Sequence, residues 1–86
     1  MHSAFVLLKL NLGPIEVVLR RLSEIPNIKE AHIVLGDYDI IIFIEADTMA
    51  SLKQIVFSDI SKLVNVRSLL VFPVITKRTR AIELAS

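Results

Sequence analysis

Cysteine is absent from this chain, which removes disulfides, thiolate metal sites and cysteine nucleophiles together. Its only glycines are Gly13 and Gly36, so neither of the glycine-rich phosphate-binding motifs, G-x-G-x-x-G and G-x-x-x-x-G-K, can be assembled. Tryptophan is also missing, and two histidines, His2 and His32, are too few for an all-histidine metal site. Charge of one sign is scarce: the formal net charge is +1, which creates no field to draw in a polyanion. No hydrophobic run is long. The longest unbroken one, Leu69 to Ile75, contains Pro73, whereas a spanning helix needs roughly 20 apolar residues. The start, Met1 to Leu12, is interrupted by Lys9 and Asn11 and has no signal-peptide pattern. These absences point to a cytoplasmic chain with no cofactor.

What is present is apolar surface. Hydrophobic residues make up 53% of 86 residues, high for one small domain. With no membrane segment, the surplus is expected to be an interface. Ala4 to Leu12 alternates as a strand, with Val6, Leu8, Leu10 and Leu12 on one face. Gly13-Pro14 breaks it, and Pro14 suits the first turn of a helix. Ile15, Val18, Leu19, Leu22 and Ile25 then follow helical spacing until Pro26-Asn27. Two apolar segments, Ile28 to Leu35 and Ile40 to Ala46, flank Gly36-Asp37, a glycine-first pair that signals a type II′ hairpin. That turn pairs Leu35 with Tyr38, Ile33 with Ile40 and Ala31 with Ile42. Asp47 or Thr48 can cap a second helix, carried by Met49, Leu52, Ile55, Val56, Ile60 and Leu63 and closed by Asn65. Val66 to Thr76 is the last strand. Pro73 has no N–H to give a ladder, so this strand belongs at an edge.

The order strand, helix, strand, strand, helix, strand is the split βαβ pattern. It predicts an α+β, ferredoxin-like fold: a four-stranded antiparallel sheet with two helices on one face. Residues 1–76 form the domain and 77–86 a tail, with Ile82 and Leu84 as contact residues. The uncovered face, with Val34, Ile41 and Phe43 near its centre, is too apolar for a monomer. Sheet-on-sheet packing between two copies resolves this. Burying roughly 600 Å² of apolar surface per chain would contribute on the order of 15 kcal/mol before association costs.

Few residues carry chemistry. Asp37 and Asp39 are two apart and share a face on a strand. They can act as an acid–base pair, hold a metal or grip an ammonium group; equally, Asp37 can be a turn residue and Asp39 a solvated strand start. His32 is either a proton-transfer group or a surface residue. Tyr38 is either a core-edge aromatic or a ligand contact. Lys77-Arg78-Thr79-Arg80 is a basic cluster, either a nucleic-acid contact or a solvated tail. Phe5 and Phe43 lack the basic residues that accompany base stacking on such sheets.

The stretch Leu35-Gly36-Asp37-Tyr38-Asp39-Ile40-Ile41 resembles the G-D-[FY]-D-apolar motif of the effector domain of the Lrp/AsnC transcription regulators. Leu22 to Ile28 is similar to that family's L-x-x-I-P-x-V. Leu63 to Val66 is similar to its L-P-G-V, with Val64 and Asn65 in place of Pro and Gly. The resemblance runs from about Ala4 to Thr76. It implies a homodimer through sheet packing, often assembled further into octamers, with small amino-acid effectors bound between dimers near the turn. Carried over, the ligand-binding positions are Gly36, Asp37, Tyr38 and Asp39, with Leu69 and Val71 where many members carry threonines. Loss of those hydroxyls shifts the expected preference toward an apolar side chain. No stretch is left for the family's helix-turn-helix. The chain is therefore expected to resemble stand-alone members, to bind no operator DNA itself and to act through full-length regulators. The alternatives are a small dimeric ferredoxin-like enzyme of cofactor-free monooxygenase or isomerase type, with His32, Asp39 and Glu45 around a cavity within one protomer, and an assembly module without a ligand.

Overall fold

The computed structural model describes residues 1–75; the expectations for the tail, for Lys77-Arg78-Thr79-Arg80 and for the 76/77 boundary lie outside the described residues. The order is β1 (His2–Leu10), α1 (Ile15–Ser23), β2 (Ile28–Ile33), β3 (Ile40–Ala46), α2 (Met49–Gln54) and β4 (Val66–Pro73). All pairings are antiparallel and the sheet order is β2-β3-β1-β4. This is the expected ferredoxin-like α+β fold, with the first and third strands central and the proline-bearing last strand at an edge.

Strand alternation builds the core. Ala4, Val6 and Leu8 of β1 and Ile40, Ile42, Ile44 and Ala46 of β3 are buried beneath the helices. Val18 and Leu22 of α1 and Leu52, Ile55, Val56 and Ile60 close over them. No polar side chain is buried among the described residues. Val18 and Leu22 lie one helical turn apart, so α1 needs only a narrow stripe to dock.

Four local details differ from the sequence expectation. β1 is displaced toward the N-terminus and stops at Leu10. A register shift between Lys9 and Leu10 disrupts the β4 ladder, and Asn11 N–H donates to Asn65 O at 2.7 Å, leaving Leu12 fully exposed. Pro14 precedes the first helical residue and serves as the N-cap. β4 ends at Pro73, with Val74 and Ile75 outside the strand; Thr76 lies outside the described residues. The second helix changes winding: after α2 it continues as a π-helical segment, Ile55–Ile60, ending with Ser61 N–H on Val56 O at 3.0 Å. Thr48, rather than Asp47, caps α2 through Oγ1 to Ser51 N–H at 3.0 Å. Asn65 adopts φ +75°, a left-handed turn that asparagine tolerates.

The hairpin is the main correction. Its register is as expected, with Ile33 opposite Ile40 and Ala31 opposite Ile42, but the ladder does not reach Leu35 and Tyr38. Its last bond is Val34 N–H to Asp39 O at 3.0 Å. Beyond it the chain forms a wider loop. Gly36 has φ +132°, far from the roughly +60° of a type II′ turn, and Leu35 is fully exposed. A competing attachment accompanies the wider loop: the end of β1 holds the Asp37 carbonyl through Lys9 and the Asp39 carboxylate through Leu10.

Candidate functional site

Asp39 ties together three strands. Its N–H donates to Leu8 O of β1 at 2.8 Å, and its carbonyl accepts from Val34 N–H at the end of β2. Its carboxylate Oδ2 accepts from Leu10 N–H at 2.8 Å. Leu10 lies past the last β1–β3 pair, Leu8 with Ile40. The carboxylate thus takes over where the ladder ends and satisfies a half-buried main-chain donor that is costly to leave unpaired. One residue earlier on β1, Lys9 Nζ donates to Asp37 O at 2.6 Å. The two acids of the motif are therefore held by successive residues of β1, one through its side chain and the other through its carbonyl.

The loop closed by the Val34–Asp39 bond is accessible. Leu35, Gly36 and Asp37 are exposed and Tyr38 is half-buried. Among the described residues, the N–H groups of Leu35, Gly36, Asp37 and Tyr38 have no protein acceptor. A loop with consecutive free main-chain donors can cradle an anion such as a carboxylate. Nothing within 4 Å would meet a Cβ at Gly36, so its requirement for glycine is conformational. Asp39 also borders a cleft of about 210 Å³ with Leu10, Asn11, Leu12, Gly13 and Ile15.

Leu69 and Val71 lie elsewhere in the same protomer. Leu8 pairs with Ile40 on one side and Leu69 on the other. At about 4.8 Å per strand, Leu69 is roughly 10 Å from the residue that follows the loop. Both residues face the helices and pack against the core. Val71 also lines an apolar cleft of about 190 Å³ between the second helix and the β4 edge, with Met49, Leu52, Lys53, Val56, Phe57 and Pro73. The loop and this cleft are thus separate in a single chain.

The sheet face away from the helices is apolar at its centre. Phe43, Phe5 and Phe72 form one row across β3, β1 and β4, and Ile41, Leu7 and Leu70 form the next. The Phe5 and Phe43 rings are 4.9 Å apart at 48°. Phe5 is 43% exposed, Leu70 41% and Phe72 50%. Polar residues rim the patch, with Glu30 and His32 on β2, Glu45 and Ser3 at one end, and Lys9 and Ser68 at the other.

The three residues of the enzyme alternative are not brought together. His32 Nε2 lies 2.9 Å from Glu30 Oε1 on the edge strand, with both side chains exposed. Asp39 is engaged by Leu10. Glu45 stands near the far end of β3, about 20 Å along the strand from Asp39 by rise per residue, beside a cleft with Met1, Ser3, Val74 and Ile75. Sequence reasoning missed Lys9 and Leu10. The available signal was Lys9 itself, a charge that follows the apolar run Ala4 to Leu8 and stands near the end of the strand. It also passed over Phe57, which the π-helical segment leaves 62% exposed on the wall of the Val71 cleft.

Comparison with known proteins accords with this geometry. The model of the Lrp/AsnC ligand binding domain matches residues 3–81. No curated protein matches the chain. Among solved structures, FFRP-DM1 superposes with a TM-score of 0.84 at 32% identity, covering 87% of this chain and 100% of its own. The hypothetical protein PHS023 from Pyrococcus horikoshii gives 0.81 at 30% identity, with 93% and 96% covered. The transcriptional regulator NMB0573 from Neisseria meningitidis, solved as a complex with L-Met, gives 0.82 at 14% identity, a likeness of fold. There 92% of this chain is covered but only 54% of the regulator, so the chain spans about half that protein's length.

Proposed function

The chain belongs to the Lrp/AsnC ligand-binding domain family, and from that premise we propose that it is an amino-acid-sensing and assembly module. The observation that carries the proposal is the loop from Leu35 to Tyr38, closed by the Val34–Asp39 bond, held to β1 at Asp37 and Asp39, and presenting free main-chain donors. Its donors meet the ligand carboxylate. The ligand side chain enters the Val71 cleft of a neighbouring copy, since loop and cleft lie apart within one chain. Leu69 and Val71 offer no hydroxyl, and the cleft is walled by Met49, Leu52, Val56 and Phe57, so an apolar amino acid is favoured. That NMB0573 was crystallised with L-Met supports a ligand of this class.

Assembly uses the open sheet face. The two rows from Phe43 to Phe72 and from Ile41 to Leu70 form an apolar centre with a polar rim, the composition of a buried interface core. A second copy covers it in a homodimer, and dimers associate further around the loops. The same face allows pairing with a full-length regulator, through which the module affects transcription in the cytoplasm. Among the described residues, no helix is long and apolar enough to cross a membrane.

The test is thermal unfolding at fixed protein concentration with single amino acids added. A ligand at 100 times its Kd stabilises by about 2.7 kcal/mol, several degrees for a domain this size. Methionine, leucine, isoleucine or valine should raise Tm while aspartate and lysine do not. An unchanged Tm with every amino acid removes ligand sensing and leaves assembly alone.

A further inference from the structure

The loop's outward donors need a reason to face outward, and the structure supplies one at a residue outside the family motif. A trans peptide is planar, with its carbonyl and its N–H pointing to opposite sides, and no peptide bond among the described residues is cis. Lys9 Nζ draws the Asp37 carbonyl toward the sheet; the N–H of that same peptide unit, Tyr38 N–H, is thereby turned away from Lys9. On the next unit Asp39 N–H points inward to Leu8 O, which turns the Tyr38 carbonyl away from β1. Tyr38 therefore presents a main-chain donor and a main-chain acceptor, the complement of a carboxylate and an ammonium group. Asp39 is already committed through Oδ2 to Leu10 N–H.

We infer that Lys9 is a positioning residue for the ligand loop: by holding the Asp37 carbonyl it orients the Tyr38 peptide to receive the charged end of an amino acid. The inference rests on the proposed ligand-binding role. Lys9 lies on the open sheet face, opposite Ser68 on β4 and two residues along from Leu7, so its stem is at the rim of the surface that a second copy covers. The ammonium is a charge-assisted donor, stronger than a neutral one. Arginine can reach the same carbonyl, whereas methionine keeps the apolar stem and loses the donor.

Two readouts on Lys9→Met and Lys9→Arg decide the matter. The first needs no ligand: the Asp37 carbonyl carbon and Tyr38 amide resonances should move in Lys9→Met, return toward wild type in Lys9→Arg, and leave the Leu10 amide in place. The second is titration with L-methionine, L-leucine, L-isoleucine and L-valine, where Lys9→Met should weaken binding roughly tenfold and Lys9→Arg recover most of it. Unmoved Asp37 and Tyr38 resonances in Lys9→Met overturn the inference whatever the ligand result. Moved resonances with wild-type affinity overturn it too, making Lys9 a structural contact only. A wild-type chain that binds none of the four refutes the loop as an apolar amino-acid site and removes Lys9's role with it; the resonances distinguish that failure from loss of the Lys9 contact.

Discussion

Replacing Asp39 by alanine should destabilise the ligand-free protein, because the carboxylate completes the sheet. Asp39→Ala removes the acceptor of Leu10 N–H, a half-buried bond of 2.8 Å, and leaves that donor unpaired at the end of β1. A hydrogen bond to a charged group contributes about 1.5–3 kcal/mol. Partial exposure of Asp39 lets water replace part of this, so the expected loss is about 1–2 kcal/mol. Asp39→Asn keeps an oxygen that can accept from Leu10 and loses only the charge, so it should cost about half as much. The assay is urea unfolding followed by circular dichroism, at one protein concentration, since assembly makes stability concentration-dependent. For a domain of this size, 1 kcal/mol corresponds to about 4–8 °C in Tm, well within resolution. The reasoning is refuted if Asp39→Ala unfolds within 0.3 kcal/mol of wild type (about the error of additivity). It is also refuted if alanine and asparagine are indistinguishable, since the acceptor would then be irrelevant.

Phe5→Asp puts a charge at the centre of the open face and should convert the protein to monomers in light scattering while retaining its circular dichroism; an unchanged mass would move the interface elsewhere. Gly36→Ala meets no atom within 4 Å, so only its φ of +132° opposes the change, and the cost in urea unfolding should be about 1–2 kcal/mol. Thr48→Ala deletes the cap on Ser51 N–H and should cost about 1 kcal/mol, with Thr48→Ser restoring most of it. Ile42→Ala, at a fully buried position, should cost about 2–5 kcal/mol, a larger loss than any of these surface changes.

The architecture was legible because two periodicities write it plainly. Val6 and Leu8 alternate for a strand, Val18 and Leu22 repeat for a helix, and Pro73 marks an edge whichever way the other strands are ordered. The apolar open face was readable for the same reason, since Phe5, Leu7, Ile41 and Phe43 occupy the positions a monomer would make polar. The loop was only half legible. Gly36-Asp37 names a tight turn by local rules, and alternation gave the correct register up to Ile33 and Ile40. What accompanies the wider loop is an attachment from β1, some thirty positions earlier in the chain, through Lys9 and Leu10. Local turn propensity carries no information about a partner that distant in sequence. The π-helical segment was hidden for a related reason. Leu52, Val56 and Ile60 keep a spacing that α winding also satisfies, so only the backbone shows the change and the exposure of Phe57. The separation of Leu69 and Val71 from the loop follows from the strand order, in which β1 stands between β3 and β4; motif resemblance groups the six positions without regard to it.

The central claim is that ligand binding and assembly are joined at the loop. Light scattering after size-exclusion chromatography, with and without a mixture of amino acids, tests it most directly. The account predicts a mass of at least two chains without ligand and a shift between assemblies when the mixture is added, reproduced by an apolar amino acid alone. A single-chain mass that no amino acid changes would contradict it.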